Sequence, residues 1–422
     1  MKKIVSGLLA AAMAFTSVGL PVRDNGAHTH IETGIVAHAE SYDFSYSELD
    51  DNCVMLTRYY GSDTDVIVPS EINGYRVTFL EETFCANKNI KSVTIPESVE
   101  AIGDSAFGGC SNLESVQIGE NVKGLGYYAF GGCTSLKEIT LPQSVGYIGR
   151  RAFNSCYALE EITLPQNLEH IGEGAFYNCS ALTDVTVNGN VSRVKEETFS
   201  GCSALKSVNF AANCVERIDK NAFTGCKELS EISGLDSLKE LGTDVFTDTA
   251  WLAAKKQESP LVTAGLVLID GKNYAEEDLA IPDGIVMIAD KAFKGNTNIK
   301  SLTLPQSVER IGDMAFTLCE NLSNISVPET LDDFGDWCFG ATPWMDAQKK
   351  DFDYVTLNSV LLYMKNSKGN IVIPDGVVGI SDGFFKNSRD LLSVQFPEGL
   401  KFIGRNSFQD CYYLEEVTLP EG

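Results

Sequence analysis

Histidine is scarce, and its placement makes it scarcer. The chain holds four in 422 residues, and three of them (His28, His30 and His38) precede residue 40. Only His170 remains beyond that point, so a mechanism resting on a histidine base or several imidazole ligands has little to draw on. It sits in "LEHIG", in a slot that elsewhere holds Ala101, Tyr147, Arg217 and Arg310, which marks it as a surface residue. Basic residues are also few. Lysine and arginine total 33 against 58 acidic residues, a formal charge of −25. That excess repels phosphate backbones and anionic bilayers and argues against nucleic acid or anionic membranes as partners.

Other features are missing altogether. No apolar run after Leu20 is long enough to cross a bilayer. No D-x-[DN]-x-[DN]-G loop occurs, which excludes an EF-hand or dockerin calcium site in this chain. Residues 124–129, Gly-Leu-Gly-Tyr-Tyr-Ala, match the dinucleotide fingerprint in letters, but no βαβ unit surrounds them. Carboxylates are plentiful, yet none stands out as a glycosidase couple.

The N-terminus is distinctive. Lys2 and Lys3 precede an uncharged stretch from Ile4 to Leu20, the form of a secretory signal. The nearest Ala-x-Ala site is Ala37-His38-Ala39, which places cleavage after Ala39. A retained membrane anchor is the alternative, although the stretch is slightly short for a span.

The main body is periodic. Phenylalanines stand at 84, 107, 130, 153, 176, 199, 223 and 246, then at 293, 316, 339, 385 and 408, mostly after alanine and mostly 23 residues apart. The two wide intervals are close to doubled units. A fixed period of this length means a solenoid in which each coil completes its core on its neighbours. Within one unit Val99, Ile102, Ala106, Phe107, Leu113, Val116 and Ile118 are the apolar columns. "LESVQI" and its equivalents read as short strands with alternate residues inward. Proline often follows and stops the strand. Glycine after the isoleucine (Gly103, Gly149, Gly172, Gly312 and Gly404) is expected to turn a tight corner at positive φ. Residues 249–285 and 342–377 parallel one another, with Trp251 and Trp344 in the same place, and read as units carrying a short helix and an extra hairpin.

Cysteine recurs with the coil. Cys110, Cys133, Cys156, Cys179, Cys202, Cys226, Cys319 and Cys411 each follow a repeat phenylalanine by three residues, where other units place Asn87, Thr249, Asn296, Thr342 and Ser388. A column that accepts Asn, Thr and Ser is an interior ladder of small residues, not a ligand set. Residues in line cannot converge on a zinc tetrahedron, and parallel side chains keep their Cβ atoms beyond disulfide reach. Reduced, buried thiols are expected. Cys53 and Cys85 are the only pair considered for a disulfide.

Two sets of outward residues remain. The middle strand column runs through Thr140, Thr163 and Thr186, with Glu138, Glu161 and Asp184 beside it, a flat polar face that is either solvated sheet or a contact surface. Tyr127, Tyr128, Tyr147, Tyr157 and Tyr177 crowd three consecutive units in variable slots. Exposed tyrosines are favoured at recognition sites. Tyr127, Tyr147, Tyr157 and Tyr177, with the three threonines, are the candidate ligand-binding residues.

The pattern C-x-x-L-x-x-I-x-L-P-x-x-V-x-x-I-G-x-x-A-F resembles the BspA-like leucine-rich repeats of bacterial surface proteins, over roughly residues 65 to 422. The expected fold is therefore a β-rich leucine-rich repeat solenoid with short parallel strands, about 23 residues per coil. The expected plan is a signal peptide at 1–39, an entry unit at 40–83, and a solenoid at 84–422 with insertions near 249–280 and 342–372. The last unit, ending in "VTLPEG", is expected to lack a cap and to be covered by further chain or a partner. The resemblance implies a secreted or cell-surface, non-catalytic scaffold for protein–protein interaction or adhesion, with a host or microbial protein as ligand. A non-catalytic accessory protein for polysaccharide is the second reading and a hydrolase the third. No metal or cofactor is expected. Membrane contact is expected only through the leader or an anchor outside this sequence.

Overall fold

A computed structural model describes residues 43–49, 51–188 and 190–420. The expected signal segment lies outside the described residues. The chain divides into two compact units, one of residues up to 235 with 244–253, the other of 236–243 with 254 onward. Each is a β-solenoid.

The first unit opens with a hairpin, Phe44–Glu48 against Cys53–Tyr59, on which Tyr75–Leu80 lays a parallel strand. Each later coil contributes two very short strands. One set, Ala101–Ile102, Gly124–Leu125, Tyr147–Ile148 and His170–Ile171, extends the entry sheet. The other set includes Glu138–Thr140, Glu161–Thr163, Asp184–Val187, Ser207–Phe210 and Glu231–Ser233, a five-stranded parallel sheet. Paired residues in these ladders face their counterparts one coil on, Ile139 on Ile162 for instance. The seven apolar columns from Val99 to Ile118 are all buried.

The phenylalanine column is a continuous stack. From Phe84 to Phe246, successive rings lie 4.9 to 5.9 Å apart with planes within 13°. The strand repeat of about 4.8 Å imposes this face-to-face spacing. At one end Phe44 and Tyr59 pack on Phe84. At the other, Trp251 packs on Phe246 at 4.8 Å, tilted by 45°. Trp251 belongs to the helix Ala250–Glu258 (α1).

The second unit repeats the design. Phe293, Phe316 and Phe339 stack, and Trp344 closes on Phe339 at 5.6 Å. Trp344 is carried by the helix Pro343–Asp351 (α2). Phe385 and Phe408 form a further stacked pair. Each helix is followed by a hairpin, Val262–Ala264 with Val267–Asp270 after α1, and Tyr354–Leu357 with Val360–Met364 after α2.

The cysteine column is explained by its hydrogen bonds. Each of the eight thiols donates to the carbonyl of the phenylalanine one coil back, Cys156 Sγ to Phe130 O for example, at 2.9–3.2 Å. That carbonyl also accepts a backbone N–H from its own coil, as Phe107 O does from Cys110. Where Asn296 takes the slot, its amide donates to Gly271, Lys272 and Tyr274 carbonyls instead. Thr249 and Thr342 have a further use: each hydroxyl accepts an N–H from the following helix and so caps it. All twelve cysteines are free, Cys53 and Cys85 included. Burial pushes the Cys110, Cys156 and Cys226 thiols up to about 12. Cys411, expected to be buried with its column, is only half-buried. Thiolate being the reactive form, Ellman's reagent should titrate Cys85, Cys53, Cys214 and Cys411 in the native chain, and the other seven column thiols with Cys338 only on unfolding. More than four prompt thiols would contradict this packing.

One expectation needs correction. Gly103, Gly149, Gly172, Gly312 and Gly404 do not adopt positive φ. Glycine suits these five positions because the coils meet backbone to backbone there, although Ala289 and Ser381 hold the same corner in other coils. A Cβ on Gly149 would overlap the Gly126 carbonyl, and one on Gly404 the backbone around Ser381 and Asp382. The left-handed position comes two residues later, at Ser105, Tyr128, Arg151, Gly174, Glu197, Asn221, Lys291, Met314 and Trp337.

Candidate functional site

Packing consumes the inward columns, so any recognition must use what they leave outside. On the five-stranded sheet of the first unit, Thr140, Thr163 and Thr186 are exposed. In the next column Glu138 pairs with Glu161, and Glu161 with Asp184, in parallel register. Like charges placed abreast in a sheet oppose pairing, so this acidic column is not there for stability. Ser207 Oγ relieves one end by donating to Asp184 Oδ1 at 2.6 Å. Beside it a broad, open groove is lined by Glu114, Lys137, Glu138, Glu160 and Glu161 with Ser115 and Thr134. The face is flat and acidic.

The tyrosines divide. Tyr147 lies on the other sheet of the coil, in the strand Tyr147–Ile148, with the exposed His170 ring edge-on at 6.3 Å. Burial raises its phenol pKa. It shares no sheet with the three threonines.

Tyr127, Tyr128, Tyr157 and Tyr177 sit around the corner that bears the Ala-Phe turns. Tyr127 and Tyr157 are about half exposed, at 45% and 49%. Tyr128 occupies the left-handed position and lays its ring across Gly131, where any Cβ would collide with it. Its ring is 6.0 Å from that of Tyr127. Burial raises the Tyr128 pKa, and the Cys156, Tyr127, Cys133 and Tyr157 groups around it add to the effect. One coil on, Arg151 holds the same left-handed position and carries its guanidinium 5.9 Å over the Tyr177 ring, reaching Glu197 at 3.8 Å. The backbone beneath is fixed, since Tyr127 N–H donates to Asp104 Oδ1 at 2.6 Å.

The structure thus brings Tyr127, Tyr157 and Tyr177 to one corner with Tyr128 and Arg151, and sets Tyr147 and the threonines elsewhere. The pairing of Arg151 with Tyr177 carries no mark in the sequence. Trp337 was missed altogether. It stands two residues before Phe339 as Tyr128 stands two before Phe130, and aligning the two turns would have exposed it. Among the described residues no group of three or more His, Cys, Asp or Glu is placed to hold a metal ion. Among the same residues no helix is long and apolar enough to cross a membrane.

The profile of the BspA type leucine rich repeat region matches residues 78–206, 196–257, 272–348 and 356–422, in six copies. Among solved structures, a leucine-rich repeat protein from Bacteroides ovatus is 23% identical, with 89% of this chain and 92% of that one covered and a TM-score of 0.49. A leucine rich cell surface protein from Faecalibacterium prausnitzii is 22% identical, covering 93% and 96%, with a TM-score of 0.40. The leucine rich repeat protein of T. pallidum is 29% identical over 50% of this chain and 87% of its own, with a TM-score of 0.40. No curated protein matches.

Proposed function

Since the chain belongs to the BspA-type leucine-rich repeat family, we propose that it is a non-catalytic scaffold, secreted or held at the cell surface, that binds another protein and so serves interaction or adhesion. The observation that carries this reading is the corner of Tyr127, Tyr128, Tyr157 and the Arg151–Tyr177 pair. Tyrosine and arginine are the residues enriched where binding energy concentrates, and here they ride on backbone that the coil ladder already holds rigid. Little conformational entropy is left to lose when a partner docks. The acidic strand face of the same unit would steer a basic partner.

The test is a partner identified by pull-down from surface-protein fractions, followed by its measured affinity. Replacing Tyr157 and Arg151 together with alanine should weaken binding by about 4 kcal/mol, near a thousandfold, with the far-UV spectrum unchanged. Free sugar should not compete. Full affinity in the double variant, or turnover of a peptide or glycan by the purified chain, would overturn the proposal.

A further inference from the structure

The two helix insertions are built alike, and their differences are concentrated at one place. At one constant offset, Phe246 corresponds to Phe339, Trp251 to Trp344, Lys256 to Lys349, and the hairpin pair Val262–Asp270 to Val355–Tyr363. Both tryptophans close a phenylalanine stack, which is the structural task the insertions share. In the first insertion Lys256 forms an ion pair with Asp270 at 2.9 Å. In the second, Tyr363 replaces that aspartate, and the Lys349 ammonium rests 4.3 Å over its ring. Asp244 becomes Trp337 and Thr247 becomes Gly340. Three changes converge, and none is needed to seat the helix, because the first insertion seats its own without them.

Together they open a hollow. Trp337 stands at the left-handed position with φ 51°, 66% exposed, which is costly for a bulky residue. Its backbone is held there by Gly340 N–H and Thr317 Oγ1, both donating to its carbonyl. Gly340 leaves room for the indole, since a Cβ would come within 2.7 Å of it. Opposite the indole stand Met345 and Lys349 from α2, Leu362 and Tyr363 from the hairpin, and Ser381.

We propose that this hollow binds a neutral saccharide, with the apolar face of one sugar ring on Trp337 and its hydroxyls against Lys349, Tyr363 and Ser381. The chemistry narrows the choice. A quaternary ammonium on the Trp337 face would be repelled by the Lys349 ammonium that shares the hollow. An anion would meet Asp336 and Asp382, the chain neighbours of Trp337 and Ser381, in a chain of charge −25. A sugar ring offers an apolar face together with donors and acceptors, which matches aromatic walls bearing a few polar groups. The site lies in the second unit and is independent of the protein-binding corner in the first.

Tryptophan emission reads the site, because of the three tryptophans Trp251 is buried, Trp344 is half-buried against Phe339, and Trp337 alone is open to solvent. Titrating the full chain with xylohexaose, cellohexaose and mannohexaose should give a saturable emission shift with at least one of them. The shift should vanish in Trp337→Asp. By calorimetry, Tyr363→Asp, which restores the ion pair of the first insertion, should weaken binding at least tenfold while leaving the melting temperature near wild type. No saturable change with any of the three, undiminished binding in Tyr363→Asp, or tighter binding of polygalacturonate than of every neutral probe would overturn the proposal. Capture of a protein partner should be the same in Tyr363→Asp, so this site and the corner of the first unit fail or stand separately.

Discussion

Replacing Phe153 with alanine is expected to cost about 3–5 kcal/mol, the usual loss for a fully buried phenylalanine that leaves a cavity. Phe153 is completely buried and stacks on two neighbours, Phe130 and Phe176, each at 5.4 Å. Its walls cannot collapse, because the backbone on either side is tied to the next coil: Phe153 N–H donates to Ala175 O and Phe130 N–H to Ala152 O. The void therefore stays open. Phe408→Ala makes the comparison. That ring is only partly buried, stacks on Phe385 and meets Phe396 only edge-on at 6.3 Å, so the loss should be roughly half as large. Urea denaturation followed by both circular dichroism and tryptophan emission checks this, the two probes being needed because repeat arrays do not always unfold as one. Equal losses at both positions would show that the stack is not what couples the coils.

How much of this was legible beforehand differs column by column. The coil, its inward residues and the inert thiols could be read from period alone, because a column that tolerates Cys, Asn, Thr and Ser declares a packing role. What period could not supply was the partner of the thiol, since the carbonyl of Phe130 carries no mark in the sequence. The left-handed position was hidden for a related reason. It holds Ser105, Tyr128, Arg151, Glu197 and Trp337, and no composition rule announces a backbone angle shared by such different residues. The candidate sites lie in that column, where the fold fixes the backbone and leaves the side chain unconstrained. Tyr147 was grouped with its fellow tyrosines by sequence position, yet the coil carries the chain to another sheet between one tyrosine and the next.

The corner glycines give the second large effect. Gly149→Ala is expected to cost about 3 kcal/mol, at the upper end for overpacking, because the obstacle is main chain and cannot rotate away. The new Cβ would overlap the carbonyl of Gly126, while Gly149 N–H donates to Leu125 O at 2.8 Å at the same coil-to-coil approach. Relief requires the coils to part and that ladder bond to lengthen. The chain contains its own precedent. Where Lys195 stands at the corner above Gly172, the long sheet ends at His170–Ile171, and Arg193–Val194 begins another. Beyond it Asp219 holds the corner and bonds to Val194 O at 2.8 Å, so the ladder resumes in the same register. The expected result is thus an interrupted sheet rather than an unfolded chain, seen as faster hydrogen exchange at Gly149 and Gly172 together with a lowered melting temperature. Gly399→Ala is the control, with nothing within 4 Å of its Cβ and no positive φ, and should change stability by less than about 0.5 kcal/mol. If Gly149→Ala melts with the wild type, close backbone approach is not why glycine occupies these corners.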